Sequence, residues 1–229
     1  MENGVFISKG TKVELGYYVS LPEDYSEKKQ YPMIIFLHGA GERGNGKEEL
    51  AWIRREGICR YLSEGKKYPA IILCPQCPSR LVWNNLVLEL KELIDRIALQ
   101  YHADPHRISI TGISMGGYGT WEMGMTYSNF FSALAPVCGG GFSWRCENLI
   151  NMPVWAFHGD ADLDVPCHNS IEMVDSLNAK GGKARLTIFH GVDHHSWDPA
   201  YLETNVIQWL LSQYRNDFSV QKEAYEDKA

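Results

Sequence analysis

A chain of 229 residues that is 45% hydrophobic is long enough to bury one substantial core, and its formal net charge of −6 offers no electrostatic grip on nucleic acid or an anionic membrane. No apolar run approaches the ~18 residues of a membrane span. The opening "MENGVFISKGTKVELG" has neither the basic nor the apolar segment of a secretory leader, so a cytoplasmic protein is expected. The six cysteines are then expected to be reduced thiols, and the lone C-x-x-C of "CPQCP" is half a zinc site at most.

In chain order, "KVELGYYVSLPEDY" reads as antiparallel edge strands within about residues 1–30, and "YPMIIFLHG" (31–39) as a buried strand. "EELAWIRREGICRYLSEG" has helical spacing, "YPAIILCPQ" (68–76) is the next strand, and "NNLVLELKELIDRIALQYH" (84–102) is an amphipathic helix. "RISITG" leads into a helix from about Met115 to Tyr127, and "FSALAPVCGG" is a strand running into a glycine loop. "MPVWAFHGD" (152–160) is a strand, and "NSIEMVDSLNAKGG" is a helix ended by Gly181 and Gly182. "KARLTIFHG" (183–191) is the last strand, "AYLETNVIQWLLSQY" the closing helix, and about 216–229 a solvated tail. Continuous apolar strands alternating with helices predict one α/β domain over 1–229, a doubly wound and mostly parallel sheet with helices on both faces.

Ligands of such sheets bind outside the carboxyl ends of the strands. The segments there hold the unusual residues: "HGAGERGNG", "PQCPSRLVW", "GISMGG", "CGGGFSW", "HGDADLDVP" and "HGVDHHSW". Gly112-Ile113-Ser114-Met115-Gly116 fits G-x-S-x-G. The bare pattern is weak, but here it joins a strand directly to a helix, where the turn lifts a serine hydroxyl above the sheet. No Gly-Lys-Ser/Thr follows, which speaks against a phosphate loop. A serine nucleophile needs a base, and the base an orienting acid. Downstream at strand ends, the acids are Asp160, Asp162 and Asp164, and the bases His194 and His195. The Met115 N–H is expected to donate to the developing oxyanion.

His38 and His158 sit where a structural bond to loop backbone is expected. Adjacent His194 and His195 cannot aim both rings one way, no H-E-x-x-H spacing occurs, and a zinc site would need a third ligand that the pattern does not place, so no metal and no cofactor is expected. Trp83, Trp144 and Trp197 lie in strand-end loops and are candidate walls of a substrate pocket, with packing the alternative. Glu42 and Arg43 are expected to tie down the first loop as an ion pair.

Together "LHGAGERG", "GISMGGYGTW", "HGDADLDVP" and "GVDHHSWDPAY" resemble the α/β-hydrolase superfamily, and within it the compact serine esterases of the phospholipase/carboxylesterase and feruloyl/acetylxylan esterase type. The resemblance runs from about Tyr17 to Leu211. It implies Asp162 as the acid, three residues after the glycine of "HGDAD", His194 as the base, and the Ala40 N–H as a second oxyanion donor. The chain departs from the family pattern at Asp193, where glycine is usual, and at His195. The expected function is hydrolysis of short-chain or aromatic carboxylic esters of small molecules, including acylated oligosaccharides. A serine peptidase of the same fold and a non-catalytic binding module are the alternatives.

Overall fold

The structure is a computed structural model that describes residues 1–215; the expected solvated tail lies outside the described residues. Eight strands form one sheet: β1 (Glu2–Ile7), β2 (Glu14–Ser20), β3 (Tyr31–Leu37), β4 (Ile71–Pro75), β5 (Ala103–Ile113), β6 (Ala133–Val137), β7 (Trp155–Gly159) and β8 (Arg185–Phe189). Their spatial order is β1-β2-β4-β3-β5-β6-β7-β8, with β2 antiparallel to both its neighbours β1 and β4 and every later pairing parallel.

The apolar runs of the central strands are continuous because these strands feed two cores. Met33, Ile35 and Leu37 of β3 pack on one side with α2 (Val87–Gln100), α3 (Met115–Thr126) and α4 (His168–Ala179), through residues such as Leu90, Leu93, Trp121 and Leu177. Ile34 and Phe36 face the other way, onto α1 (Gly57–Ser63) and α5 (Val206–Ser212), through Ile58, Tyr61, Ile207 and Leu210. Each such side chain, fully buried, stabilises the sheet by about 1.5–3 kcal/mol.

Two predicted helices are broken. The 48–65 segment forms a 3₁₀ turn (Leu50–Arg55), turns at Glu56, and restarts as α1. Gly57 has φ +57, and a Cβ there would lie 2.4 Å from the Phe36 ring, so a helix running straight through would drive a side chain into the core. The closing helix is a π-helical turn (Pro199–Glu203) followed by α5. Between them the Thr204 hydroxyl donates to the Ala200 carbonyl at 2.5 Å and accepts from the Val206 N–H at 3.1 Å, replacing backbone bonds a continuous helix would make.

From β3 the chain moves outward to β4, then returns to place β5 on the opposite flank of β3. Connections leaving β3 and β5 therefore diverge, and a crevice opens at their carboxyl ends.

Candidate active site

Ser114 is the hinge between β5 and α3. Its φ of +53 and ψ of −117 are left-handed values that a residue with a Cβ adopts at a cost of about 1–3 kcal/mol. The strain is held by contacts on both sides. The Ser114 N–H points to the Val137 carbonyl at 3.0 Å and to Cys138 Sγ at 3.2 Å. Burial pushes the Cys138 thiol up to about 12, so it stays protonated and its sulfur accepts. The flanking glycines exist for space: a Cβ on Gly116 would lie 2.0 Å from the Leu37 carbonyl oxygen, and one on Gly112 would lie 2.4 Å from that of Gly116. Only bare backbone lets α3 begin this close to β3.

The loops after β7 and β8 bring an acid and a base to the same point. His194 Nε2 lies 2.9 Å from Ser114 Oγ, and its Nδ1 lies 2.7 Å from Asp162 Oδ2. Asp162 is buried, and its Oδ1 accepts the N–H groups of Asp164 at 2.9 Å and Val165 at 2.8 Å. Burial alone would raise this carboxyl, but the His194 hydrogen bond and the Val165 and Asp164 amides outweigh it and hold it below the usual carboxylate range. His195 turns away: it is 68% exposed at the side chain, leans on the Trp197 ring at 4.6 Å, and has Asp193 Oδ1 3.7 Å from its Nδ1. Asp160 is a turn fastener instead, accepting from His190 Nδ1 at 2.8 Å and the Gly191 N–H at 2.7 Å.

The loop after β3 runs beside the serine. A Cβ on Gly39 would stand 3.7 Å from Ser114 Cβ. Ala40 opens a 3₁₀ turn (Ala40–Glu42), as Met115 opens α3, so both amides are first-turn N–H groups without an intrahelical acceptor. His38 staples this loop: its Nε2 accepts the Cys77 N–H at 2.9 Å, which leaves Nδ1 as the donor to the Gly39 carbonyl at 2.6 Å. Burial pushes His38 down to about 4, against an ordinary value near 6.5. The unfolded chain therefore takes up a proton that the folded loop refuses. Its stabilising contribution is intact above about pH 6.5 and falls as pH drops toward the folded value, by roughly 3 kcal/mol in full. Urea unfolding at pH 7 and about pH 4.5 is expected to reveal this loss, and His38→Gln to shrink it.

Two expectations are corrected. Arg43 does not pair with Glu42; its Nε donates to the Ala40 carbonyl at 2.9 Å, while Glu42 tucks its carboxyl under Gly39. Burial first, then the nearby Glu56, raise the Glu42 carboxyl. Trp83 is no pocket wall: it is fully buried, and its Nε1 donates to the His38 carbonyl at 3.0 Å. Its indole packs under Gly119 and stabilises the loop from below. Trp144 is 71% exposed beside Phe142, away from the cavity at Ser114. Trp197 does line that cavity, about 270 Å³ in volume, together with Ala40, Glu42, Glu56, Ser114 and His194.

Sequence reasoning missed Glu56, which lay inside a predicted helix but accepts from Trp197 Nε1 at 3.0 Å. It also missed Asp198, gripped by Arg60 Nη2 at 2.7 and 2.8 Å, which ties the His194 loop to α1. Neither has a local signal, because each partner is more than a hundred residues away. Cys138, Asp162 and His194 place three ligand-type atoms within 4.8 Å of one another. Of these, His194 Nδ1 and Asp162 Oδ2 already bond each other, which commits both to the contact with Ser114.

Among the described residues no helix is long and apolar enough to cross a membrane. Residues 142–216 match the model of the prolyl oligopeptidase family. The chain is similar to a thermostable esterase of known structure, at 34% identity and TM-score 0.80, over 93% of this chain and 63% of that one. It is also similar to a ferulic acid esterase from Anaeromyces mucronatus, at 18% identity and TM-score 0.69, over 93% of this chain and 89% of that one. Poly(3-hydroxyalkanoate) depolymerase C of Paucimonas lemoignei is 25% identical over 193 residues, which span 78% of this chain and 44% of the depolymerase. The chain thus spans less than two thirds of the first esterase and under half of the depolymerase. With its strand order, its strand–serine–helix turn and these likenesses taken together, the chain has the α/β-hydrolase fold and is similar to esterases that share it.

Proposed function

We propose that this protein is a serine carboxylesterase acting on short-chain or aromatic esters, of the acetyl or feruloyl kind. The observation that carries the reading is the continuous relay from Ser114 Oγ through His194 to Asp162, at 2.9 and 2.7 Å, assembled from three separate strand-end loops. His194 Nδ1 faces a carboxylate, which only accepts, so the proton sits on Nδ1 and the Nε2 lone pair faces the serine. Ser114 Oγ bonds to the ester carbonyl carbon as its proton passes to Nε2. The carbonyl electron pair moves onto oxygen and is met by the Met115 and Ala40 N–H groups, each such donor lowering the barrier by about 2.7–4 kcal/mol. Collapse of the tetrahedral intermediate expels the alcohol, which takes the proton from His194. Water then repeats the sequence on the acyl-enzyme, and Asp162 stays ionised throughout, steadying the imidazolium.

A cavity of about 270 Å³ suits a small acyl or aryl group, and the Glu42 and Glu56 carboxyls on its wall favour neutral over anionic ones. The likeness to esterases adds support. A serine peptidase is the second reading, favoured by the match of residues 142–216 to the prolyl oligopeptidase family. Parallel assays on p-nitrophenyl acetate, a feruloyl ester and a dipeptide p-nitroanilide separate the two. Turnover of the esters with no anilide release is expected; the reverse pattern would replace the esterase reading with the peptidase one.

A further inference from the structure

Behind Asp162 lies a second histidine that the ester chemistry does not use. His158, on β7, is completely buried, and its Nε2 lies 3.2 Å from the same Asp162 Oδ2 that receives His194. The same nitrogen lies 2.9 Å from the Val165 carbonyl. A carbonyl and a carboxylate only accept, so Nε2 carries a proton, which it donates to the Val165 carbonyl while facing Asp162 Oδ2 at close range. On the far side of the ring, Nδ1 meets Ser170 Oγ at 2.7 Å, and that hydroxyl also lies 3.0 Å from the Gly139 carbonyl. Ser170, on α4, is itself fully buried, so the ring is pinned at both nitrogens between β7, α4 and the loop after β6. Burial pushes His158 below the ordinary imidazole range, which keeps the ring neutral at neutral pH.

Asp162 then has donors on every side. Oδ1 takes the Asp164 and Val165 amides, while Oδ2 takes His194 Nδ1–H and has His158 Nε2 only 3.2 Å away. The amides fix where the carboxylate sits; the two imidazoles fix how Oδ2 is turned. Both amides lie on the 162–165 turn, and His158 holds that turn a second time through the Val165 carbonyl.

We propose that His158 is a positioning residue for the relay, aiming Asp162 Oδ2 at His194 through its Nε2–H while Ser170 holds the ring. This rests on the reading of Ser114, His194 and Asp162 as the esterase triad. A histidine that merely fills the core would need neither a donor at Nε2 nor a partner at Nδ1.

The test compares His158→Gln, whose amide N–H can stand where Nε2–H stands, with His158→Phe, which keeps the bulk and removes the donor. Both are assayed on p-nitrophenyl acetate in wild-type and Asp162→Asn backgrounds. His158→Phe is expected to lower kcat about tenfold with KM little changed, the size expected for one lost hydrogen bond to a charged group. His158→Gln is expected to recover most of that loss, and the gap between Gln and Phe to vanish in Asp162→Asn. Equal kcat for Phe and wild type, or a gap that persists without the Asp162 carboxylate, overturns the proposal. Should His158→Phe fail to fold, Ser170→Ala serves instead: kcat should fall severalfold in the wild type but not in Asp162→Asn, and equal effects in both refute it. If the esterase reading itself fails, Asp162→Asn alone will leave turnover intact, an outcome distinct from either.

Discussion

Replacing Ser114 by alanine is expected to lower turnover of p-nitrophenyl acetate by roughly 10⁴-fold or more while the fold persists. The side chain contributes the attacking oxygen and little packing, and alanine at φ +53 keeps the same backbone strain, so unfolding in urea should be nearly unchanged. His194→Ala is expected to match that loss, since a serine hydroxyl without its base is a weak nucleophile. His195→Ala should change kcat by less than about tenfold, because its ring turns toward Trp197 and solvent. The contrast between two neighbouring histidines makes the series informative. Equal effects from both would mean that the 2.9 Å contact to Ser114 Oγ is not the route of the proton.

The largest effect on stability is expected at Gly116. An added methyl would lie 2.0 Å from the Leu37 carbonyl oxygen and 2.8 Å from that of His38, both backbone atoms that cannot rotate aside. Gly116→Ala must therefore push α3 away from β3, at a cost of about 3 kcal/mol, or roughly 10 °C in Tm for a domain of this size. The same displacement would separate the Ala40 and Met115 amides, so ester turnover should fall even in the folded fraction. Gly10→Ala is the matched control: the nearest atom is 4.0 Å from the new Cβ, and a change within about 0.5 kcal/mol is expected.

The parts of this molecule legible in its sequence are those whose causes are local. The apolar run of β3, the glycine-flanked turn at Ser114 and the acid-rich and histidine-rich strand ends each carry their signal within about ten residues. The doubly wound sheet follows from their alternation. In the sequence only the family resemblance separates Asp162 from Asp160 and Asp164, because all three share one loop and composition does not distinguish them. In the structure Asp162 differs from Asp160 by burial and by three hydrogen-bond donors against two, with His158 Nε2 close behind it. What was not legible depends on distant partners. The break at Gly57 is set by the Phe36 ring from another strand, and periodicity across 48–65 carries no trace of it. Trp83 reads as a loop residue near the site, yet its indole N–H is consumed by the His38 carbonyl beneath the loop. Glu42 and Arg43, adjacent and opposite in charge, look like a pair; backbone geometry sends one inward and the other to Ala40.

Esterase chemistry at this site rests on one chemical property, an alcohol made nucleophilic at a single residue. The most direct measurement is reaction of the whole protein with a fluorophosphonate probe, followed by mass analysis of its peptides. One phosphonyl group on Ser114 in the wild-type protein, with labelling slowed by orders of magnitude in His194→Ala, is the result expected. Labelling at another serine, or none at Ser114 in folded wild-type protein, would contradict it.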